Sequence, residues 1–293
     1  MSTSAAPVLS VVIPVRNAAR YLPDALEALA SQKFAADWEL VLVDNGSSDS
    51  SVAIALNFKN QLPALNIKMV HAYDKPGQAH ALNAGAAASS GRSLLFLDAD
   101  DVVAPGYLAA MATALEEAPF VCSRLDNETL NPGWLRMSRP PTQVDGVGAP
   151  FGFLPSAAGC SVGVWRSIFE EVGGFDSTIL LGNDVDFSWR VQLAGLPLQF
   201  VPEAVVHYRF RENLRQIFAQ ARTYGTAGPT LYKRYRAIGM TRRSWRIALR
   251  FHAGALLRLA RARSMADLAE CAFLFGFRLG IVQGCYKNRV LYP

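Results

Sequence analysis

Cysteine, charge and long apolar runs are scarce in this chain. Of its 293 residues only four are Cys (Cys122, Cys160, Cys271 and Cys285), and none forms a CxxC pair. That pattern argues against a disulfide framework and a structural zinc site and suits a reduced, cytosol-facing protein. Charged residues make up 18%, below the roughly 25% of an ordinary soluble protein. No window reaches about 18 uncharged apolar residues, so a membrane span is not expected. The nearest approach, Cys271–Ile281, is interrupted by Arg278. Met1–Ala6 lacks a basic stretch, so no secretory leader is expected. No GxGxxG follows the first apolar run, which argues against a dehydrogenase. There is no internal repeat and no low-complexity tract.

What is present is a core. With 51% hydrophobic residues the chain is not disordered, and its length suits one large domain or one domain with a smaller appendage. The net charge of +5 hides an asymmetry. From Glu203 to Pro293 there are 17 Lys and Arg against 4 Asp and Glu, and the remainder holds 12 against 20. An acidic body carries a basic tail, of the kind that meets an anionic surface or substrate.

Leu9–Val15, Glu39–Val43 and Ser93–Leu97 are short apolar runs rich in branched side chains. Such runs predict strands buried on both faces, as in a parallel sheet. Helical patterns alternate with them over Tyr21–Gln32, Ser47–Asn60 and Gly77–Ser90, which predicts an α/β sheet with crossover helices. Glu128–Pro155, with five Pro and four Gly, reads as a long loop, expected to be functional. Val164–Val172 and Val185–Leu193 read as short helices and Pro202–Tyr208 as a last strand. Asn213 to Cys285 reads as basic amphipathic helices broken near Gly225–Pro229, Gly239 and Ser264.

Ligands of open α/β sheets bind beyond the carboxyl ends of the strands, and three strands here end in polar residues. The first runs into Pro14-Val15-Arg16-Asn17, the second into Asp44-Asn45-Gly46-Ser47, the third into Asp98-Ala99-Asp100-Asp101. Three carboxylates within four residues repel one another and are best accommodated around a hard cation, Mg²⁺ or Mn²⁺. The plainer alternative is a solvated turn capping a helix near Pro105. Asp44 either accepts hydrogen bonds from a ribose or base, or closes an Asx turn. In Gly182–Arg190, Asp186 and Arg190 suit an i,i+4 salt bridge, while Asp184 is a cap or a general base at a cleft edge. His207, ending an apolar strand, is structural or an extra metal ligand.

Together these segments resemble an inverting family 2 glycosyltransferase of the GT-A fold, over about Leu9–Arg211. LSVVIPVRN, VLVDNGSSDSS, the stretch from Lys75 to Gly85, LFLDADD, and GGFD followed by GNDVDFSWR match the family's motifs in order. The resemblance implies a Rossmann-like, mostly parallel sheet flanked by helices over residues 1–211, with a nucleotide half of about 1–123 and an acceptor half of about 124–211. Residues 212–293 form a basic α-helical extension.

By position, the resemblance assigns the donor pocket to Pro14, Arg16, Asn17, Asp44, Asn45, Gly77, Asn83, Asp98 and Ala99, and the metal to Asp100 and His207. It assigns the general base to Asp184 and the acceptor side to Gly159, Cys160, Asn183 and Arg190. It implies a nucleoside-diphosphate sugar donor, with UDP or dTDP favoured over GDP, and a glycan or lipid-linked glycan acceptor. Asn183 stands where an acidic residue is common, leaving base duty to Asp184. No QxxRW motif is present, so one sugar per visit is expected rather than processive synthesis.

The Glu128–Pro155 loop is a candidate lid over the donor. Arg242, Arg243, Arg246 and Arg250 mix with Trp245, Ile247, Leu249 and Phe251, a pattern suited to an anionic membrane surface or to packing on the domain. A peripheral position on the inner face of the plasma membrane would follow from the first. No nucleic-acid reader motif is present, and none is expected to bind. Rival readings are a nucleotidyltransferase, which lacks its basic phosphate loop here, and a non-catalytic, membrane-docked sugar-nucleotide binding protein.

Overall fold

A computed structural model describes residues 8–242 and 244–292, with the side chains of residues 245 and 247–253 excepted. Met1–Ala6, Arg243 and the side chains of Trp245, Ile247, Leu249, Arg250 and Phe251 therefore lie outside the described residues. Along the chain run β1 (Leu9–Val15), α1 (Leu22–Ala30), β2 (Trp38–Asp44), α2 (Ser51–Gln61), β3 (Asn66–His71), α3 (Gln78–Ala88), β4 (Ser93–Phe96), β5 (Val102–Val103), α4 (Tyr107–Glu117), β6 (Phe120–Asp126) and α5 (Gly133–Arg136). Then come β7 (Val162–Trp165), α6 (Arg166–Glu171), α7 (Asn183–Leu193), β8 (Gln199–His207), α8 (Leu214–Gly225), α9 (Ala227–Tyr235), α10 (Trp245–Arg261) and α11 (Met265–Asn288).

The chain divides into two compact units. The first holds residues up to Asp126, Gln143–Val147 and Pro155–Tyr208; the second holds Asn127–Thr142, Gly148–Leu154 and the chain from Arg209 onward. In the first, eight strands form one sheet in the order β3-β2-β1-β4-β7-β6-β8-β5. The β3-β2-β1-β4 half is parallel, β7 runs antiparallel to both β4 and β6, and β8 is parallel to β6. Strands β1, β2 and β4 are buried almost throughout, which is why they read as unbroken apolar runs. Helix α3 lies so close to this sheet that Gly85 has no room for a Cβ against Val12 and Val43.

Two segments differ from the sequence reading. Val164–Val172 is not one helix: Val162–Trp165 is a strand, and the helix starts at Arg166. Val162 and Val164 are fully buried between β4 and β6, a place for branched side chains. Gly163 lies between them, where a Cβ would fall within 3.0 Å of Val121, Met111 and Leu95. Glu128–Pro155 is not one loop either: it divides between the units and contains the helical turn α5. Leu135 buries that turn, and Asn131 braces it by donating to Asn127 O and accepting from the Phe210 N–H.

The second unit is helical. Helix α11 packs on α8 through Gly276 and Gly280 and on Thr226 and Pro229, at the start of α9, through Gly284; at Gly276 and Gly280 a Cβ would meet the backbone of α8, with Gly225 facing them from the other side. No helix among the described residues is long and apolar enough to cross a membrane.

Candidate active site

The polar strand ends gather at the carboxyl edge of the parallel half-sheet. Val15 is in register with Asp44, and Asp44 with His71, so β1, β2 and β3 end side by side. Asn17, held in the left-handed region at φ 52°, accepts from the Ser48 N–H at 2.8 Å and binds the first polar loop to the second. Asn45 holds the loop that follows β3: its amide donates to Ala72 O and Lys75 O and accepts from the Gly77 N–H at 2.8 Å. Arg16 is exposed and Pro14 half-buried beside them.

The Asp44 carboxylate is buried, which works to raise its pKa. Hydrogen bonds from Ser47 and Tyr73, and the nearby His71, outweigh the burial and hold it below the usual carboxylate range. Tyr73 is exposed, and its hydroxyl lies 2.7 Å from His71 Nδ1. The sequence assigns neither ring a role, because β3, whose last residue His71 is level with Asp44, is too exposed to stand out as an apolar run.

The acidic run leaves β4 and enters β5. Asp98 accepts from the Gln78 amide at 2.7 Å, Ala99 is buried, Asp100 is half-buried, and Asp101 is buried. Oxygens of Asp98 and Asp101 and the Cys160 sulfur lie within 4.8 Å of one another. Two carboxylates suit a hard divalent cation. Burial and the neighbouring carboxylates push the Cys160 thiol far up, so it stays protonated and fits such an ion poorly. Asp100 and His207 fall outside this converging group. His207 is nonetheless close in the fold, because it pairs with Val102, the residue after Asp101, and on its other side with Asp126. Its Nδ1 lies 2.6 Å from the Asp126 carboxylate.

Asp184 stands in the first turn of α7. One of its oxygens accepts from the Gly159 N–H at 3.1 Å, the other from the Val185 N–H at 2.9 Å. Burial outweighs these bonds and raises its pKa. The turn at Gly159–Ser161 thus touches Asp184 through Gly159 and the acidic run through Cys160. Gln143 supports that turn: it accepts from the Ala158 N–H at 2.9 Å and donates to Ser161 Oγ at 2.7 Å and Ser123 O at 2.6 Å.

Other residues expected at the site serve the scaffold. Asn83 clasps the Phe175 backbone through both ends of its amide, at 2.7 and 2.9 Å. Arg190 binds Asp186 at 2.8 Å and the carbonyls of Val172 and Gly174. Asn183 is buried beneath Asp184 in the helix's first turn.

Residues 10–173 match the family described as Glycosyl transferase family 2, and residues 93–286 that described as Glycosyl transferase family group 2. A pre-mycofactocin glycosyltransferase of Mycobacterium tuberculosis is 30% identical over 243 residues, 78% of this chain and 48% of that protein. A PGL/p-HBAD biosynthesis glycosyltransferase of Mycobacterium bovis is 42% identical over 97 residues, 33% of this chain and 37% of that protein. The chain spans about half the length, or less, of these curated relatives. Among solved structures, the mannosyltransferase PcManGT from Pyrobaculum calidifontis, in complex with GDP-Man and Mn²⁺, has a TM-score of 0.65 at 17% identity, covering 97% of this chain and 88% of that one. TarS 1-349 of S. aureus in complex with UDP has a TM-score of 0.57 at 14% identity, covering 97% and 93%. These likenesses show the GT-A fold.

Proposed function

Because the chain belongs to glycosyl transferase family 2, we propose that it moves a single sugar from a nucleoside-diphosphate sugar to an acceptor hydroxyl, inverting the anomeric carbon. The observation that carries the reading is the Gly159–Ser161 turn, which links Asp184 to the acidic run. Asp44 accepts hydrogen bonds from the nucleotide's base or ribose, with Pro14, Arg16 and Asn17 around it. Asp98 faces the sugar or ribose. Asp184 takes the acceptor hydroxyl's proton, and its raised pKa brings it nearer the working range of a base. The acceptor oxygen then bonds to the anomeric carbon from the face opposite the diphosphate, whose bond to that carbon breaks.

Asp100 and His207 would hold Mg²⁺ or Mn²⁺, which when bound would neutralise charge on the departing diphosphate. The donor base is proposed as uracil or thymine, and the acceptor as a glycan or lipid-linked glycan. An anionic membrane surface is the partner proposed for the basic helices.

The test is thermal unfolding with UDP, dTDP, GDP and CDP, each with and without Mn²⁺, on the wild type and Asp100→Ala. A ligand at a hundredfold excess over Kd stabilises by about 2.7 kcal/mol. A Mn²⁺-dependent rise for one nucleotide, lost in the variant, supports the reading and identifies the base. No rise with any nucleotide overturns it.

A further inference from the structure

Helix α11 is apolar on two faces. One is packed on α8 and the start of α9 through its glycines. The other carries Met265, Leu268, Phe275, Leu279, Val282 and Tyr286, with Ala272 completing steps of three and four residues. That spacing places them on one side of a helix, in a stripe of about 32 Å. Phe275 is half-buried and the other five are exposed, Val282 by 62% and Tyr286 by 88%. A helix that is apolar all round needs an apolar neighbour on each side, and a contiguous exposed apolar patch marks an interaction surface.

Charge decides what covers it. From residue 209 onward there are 17 Lys and Arg and three acidic residues, Glu212, Asp267 and Glu270. Arg258, Arg261 and Arg263 lie before the stripe, and Lys287 and Arg289 at its far end, all exposed. The acidic groups on α11 are engaged locally: Asp267 closes the capping box with Ser264, and Glu270 pairs with Arg258 at 2.9 Å. A second copy would bring like charges together. An anionic lipid surface instead gains roughly fivefold in partition per nearby Lys or Arg.

We propose that the exposed stripe of α11 docks flat on an anionic lipid bilayer, its apolar side chains below the headgroups and the flanking cations against them. The inference deepens the membrane contact proposed above by naming its surface, and it rests on side chains other than those around Trp245.

The test is co-sedimentation of the full chain with vesicles of phosphatidylcholine alone, or of phosphatidylcholine with phosphatidylglycerol. The wild type should bind the anionic vesicles and be released in about 0.5 M salt, where the screening length is roughly 4 Å. Leu279→Ser with Val282→Ser should lower the affinity roughly tenfold or more, and so should Arg261→Glu with Lys287→Glu. Melting temperature and nucleotide binding should be unchanged in both variants. That nucleotide readout separates failure here from failure of the transferase reading. Absence of wild-type binding to anionic vesicles, unchanged affinity in the serine variant, or a wild-type dimer that the serine variant makes monomeric would each overturn the proposal, the last by identifying a second copy as the occupant.

Discussion

Asp126 and His207 end adjacent parallel strands in direct register, and the Asp126 carboxylate lies 2.6 Å from His207 Nδ1. With Nδ1–H donating to the carboxylate, Nε2 is the nitrogen left with a lone pair, the arrangement by which carboxylates orient metal-binding imidazoles. His207 in turn pairs with Val102, directly after the acidic run. Replacing Asp126 with Ala should therefore weaken Mn²⁺ binding roughly tenfold to a hundredfold. Titration of free Mn²⁺ by electron paramagnetic resonance, in the presence of UDP, reads this without turnover. Equal affinity in the variant would remove His207 from the metal site.

Among the described residues, the groups that donate to the Asp184 carboxylate are backbone N–H groups, those of Gly159 and Val185 among them. Burial therefore sets its proton affinity, and the direction is upward. Since a base must be deprotonated, transfer should rise with pH through a limb lying above the ordinary Asp value of about 3.9. Asp184→Asn should lower the transfer rate by about 10²–10⁴, lose that limb and keep nucleotide affinity. The folded chain binds this proton more tightly than the unfolded chain, so the residue costs stability as pH rises through the raised pKa. At neutral pH the Asn variant should melt no lower than the wild type. A variant that transfers sugar at an undiminished rate would exclude Asp184 as the base.

How far the sequence discloses this arrangement depends on burial. Strands β1, β2 and β4 are legible because both their faces are buried, leaving the polar residues at their ends conspicuous. Strand β3 is half-exposed, and β6 is broken by Ser123 and the exposed Arg124, so neither stands out as an apolar run. Asp126 is hidden with β6, although it ends its strand much as Asp44 ends β2. Gln143 is hidden for another reason: its partners Ser123, Ala158 and Ser161 are 15 to 20 residues away, and no local pattern encodes that meeting. Asn83 and Arg190 show the converse. They lie in family-like motifs, yet their polar atoms brace Phe175, Val172 and Gly174.

The pocket at Asp44 makes a separate prediction. Its carboxylate is held ionised by Ser47 and Tyr73 despite burial, and a hydrogen bond to a charged group contributes about 1.5–3 kcal/mol. Asp44→Ala should therefore weaken nucleotide binding roughly tenfold to a hundredfold in calorimetric titration. Tyr73→Phe, which removes one donor to that carboxylate and keeps the ring, should weaken it less. Equal binding by Asp44→Ala would place the nucleotide elsewhere.

Glu39 tests the scaffold apart from the chemistry. Its fully buried carboxylate accepts from Ser10 Oγ at 2.7 Å and from the backbone of Ser90 and Gly91, and pairs with Lys68 at 2.7 Å. Burial alone would raise its pKa, but the Lys68 and Ser bonds prevail and bring it down to about 2. A depressed carboxyl stabilises the fold above its unfolded value, and the gain is lost as pH falls through the folded one. Wild-type melting should therefore decline between about pH 4.5 and 2. Glu39→Gln keeps the shape but loses the charge that Lys68 and the Ser90–Gly91 amides face, at a cost of roughly 1–3 kcal/mol, or about 3–10 °C in Tm at pH 7. Its acid decline should be correspondingly shallower. Because Glu39 pairs with Asn66 and Ser10 at the amino ends of the parallel strands, opposite the edge that carries Asp44 and Asp98, nucleotide affinity below the melting range should not change. A loss of nucleotide binding without a loss of stability would show that this network reaches the far edge of the sheet.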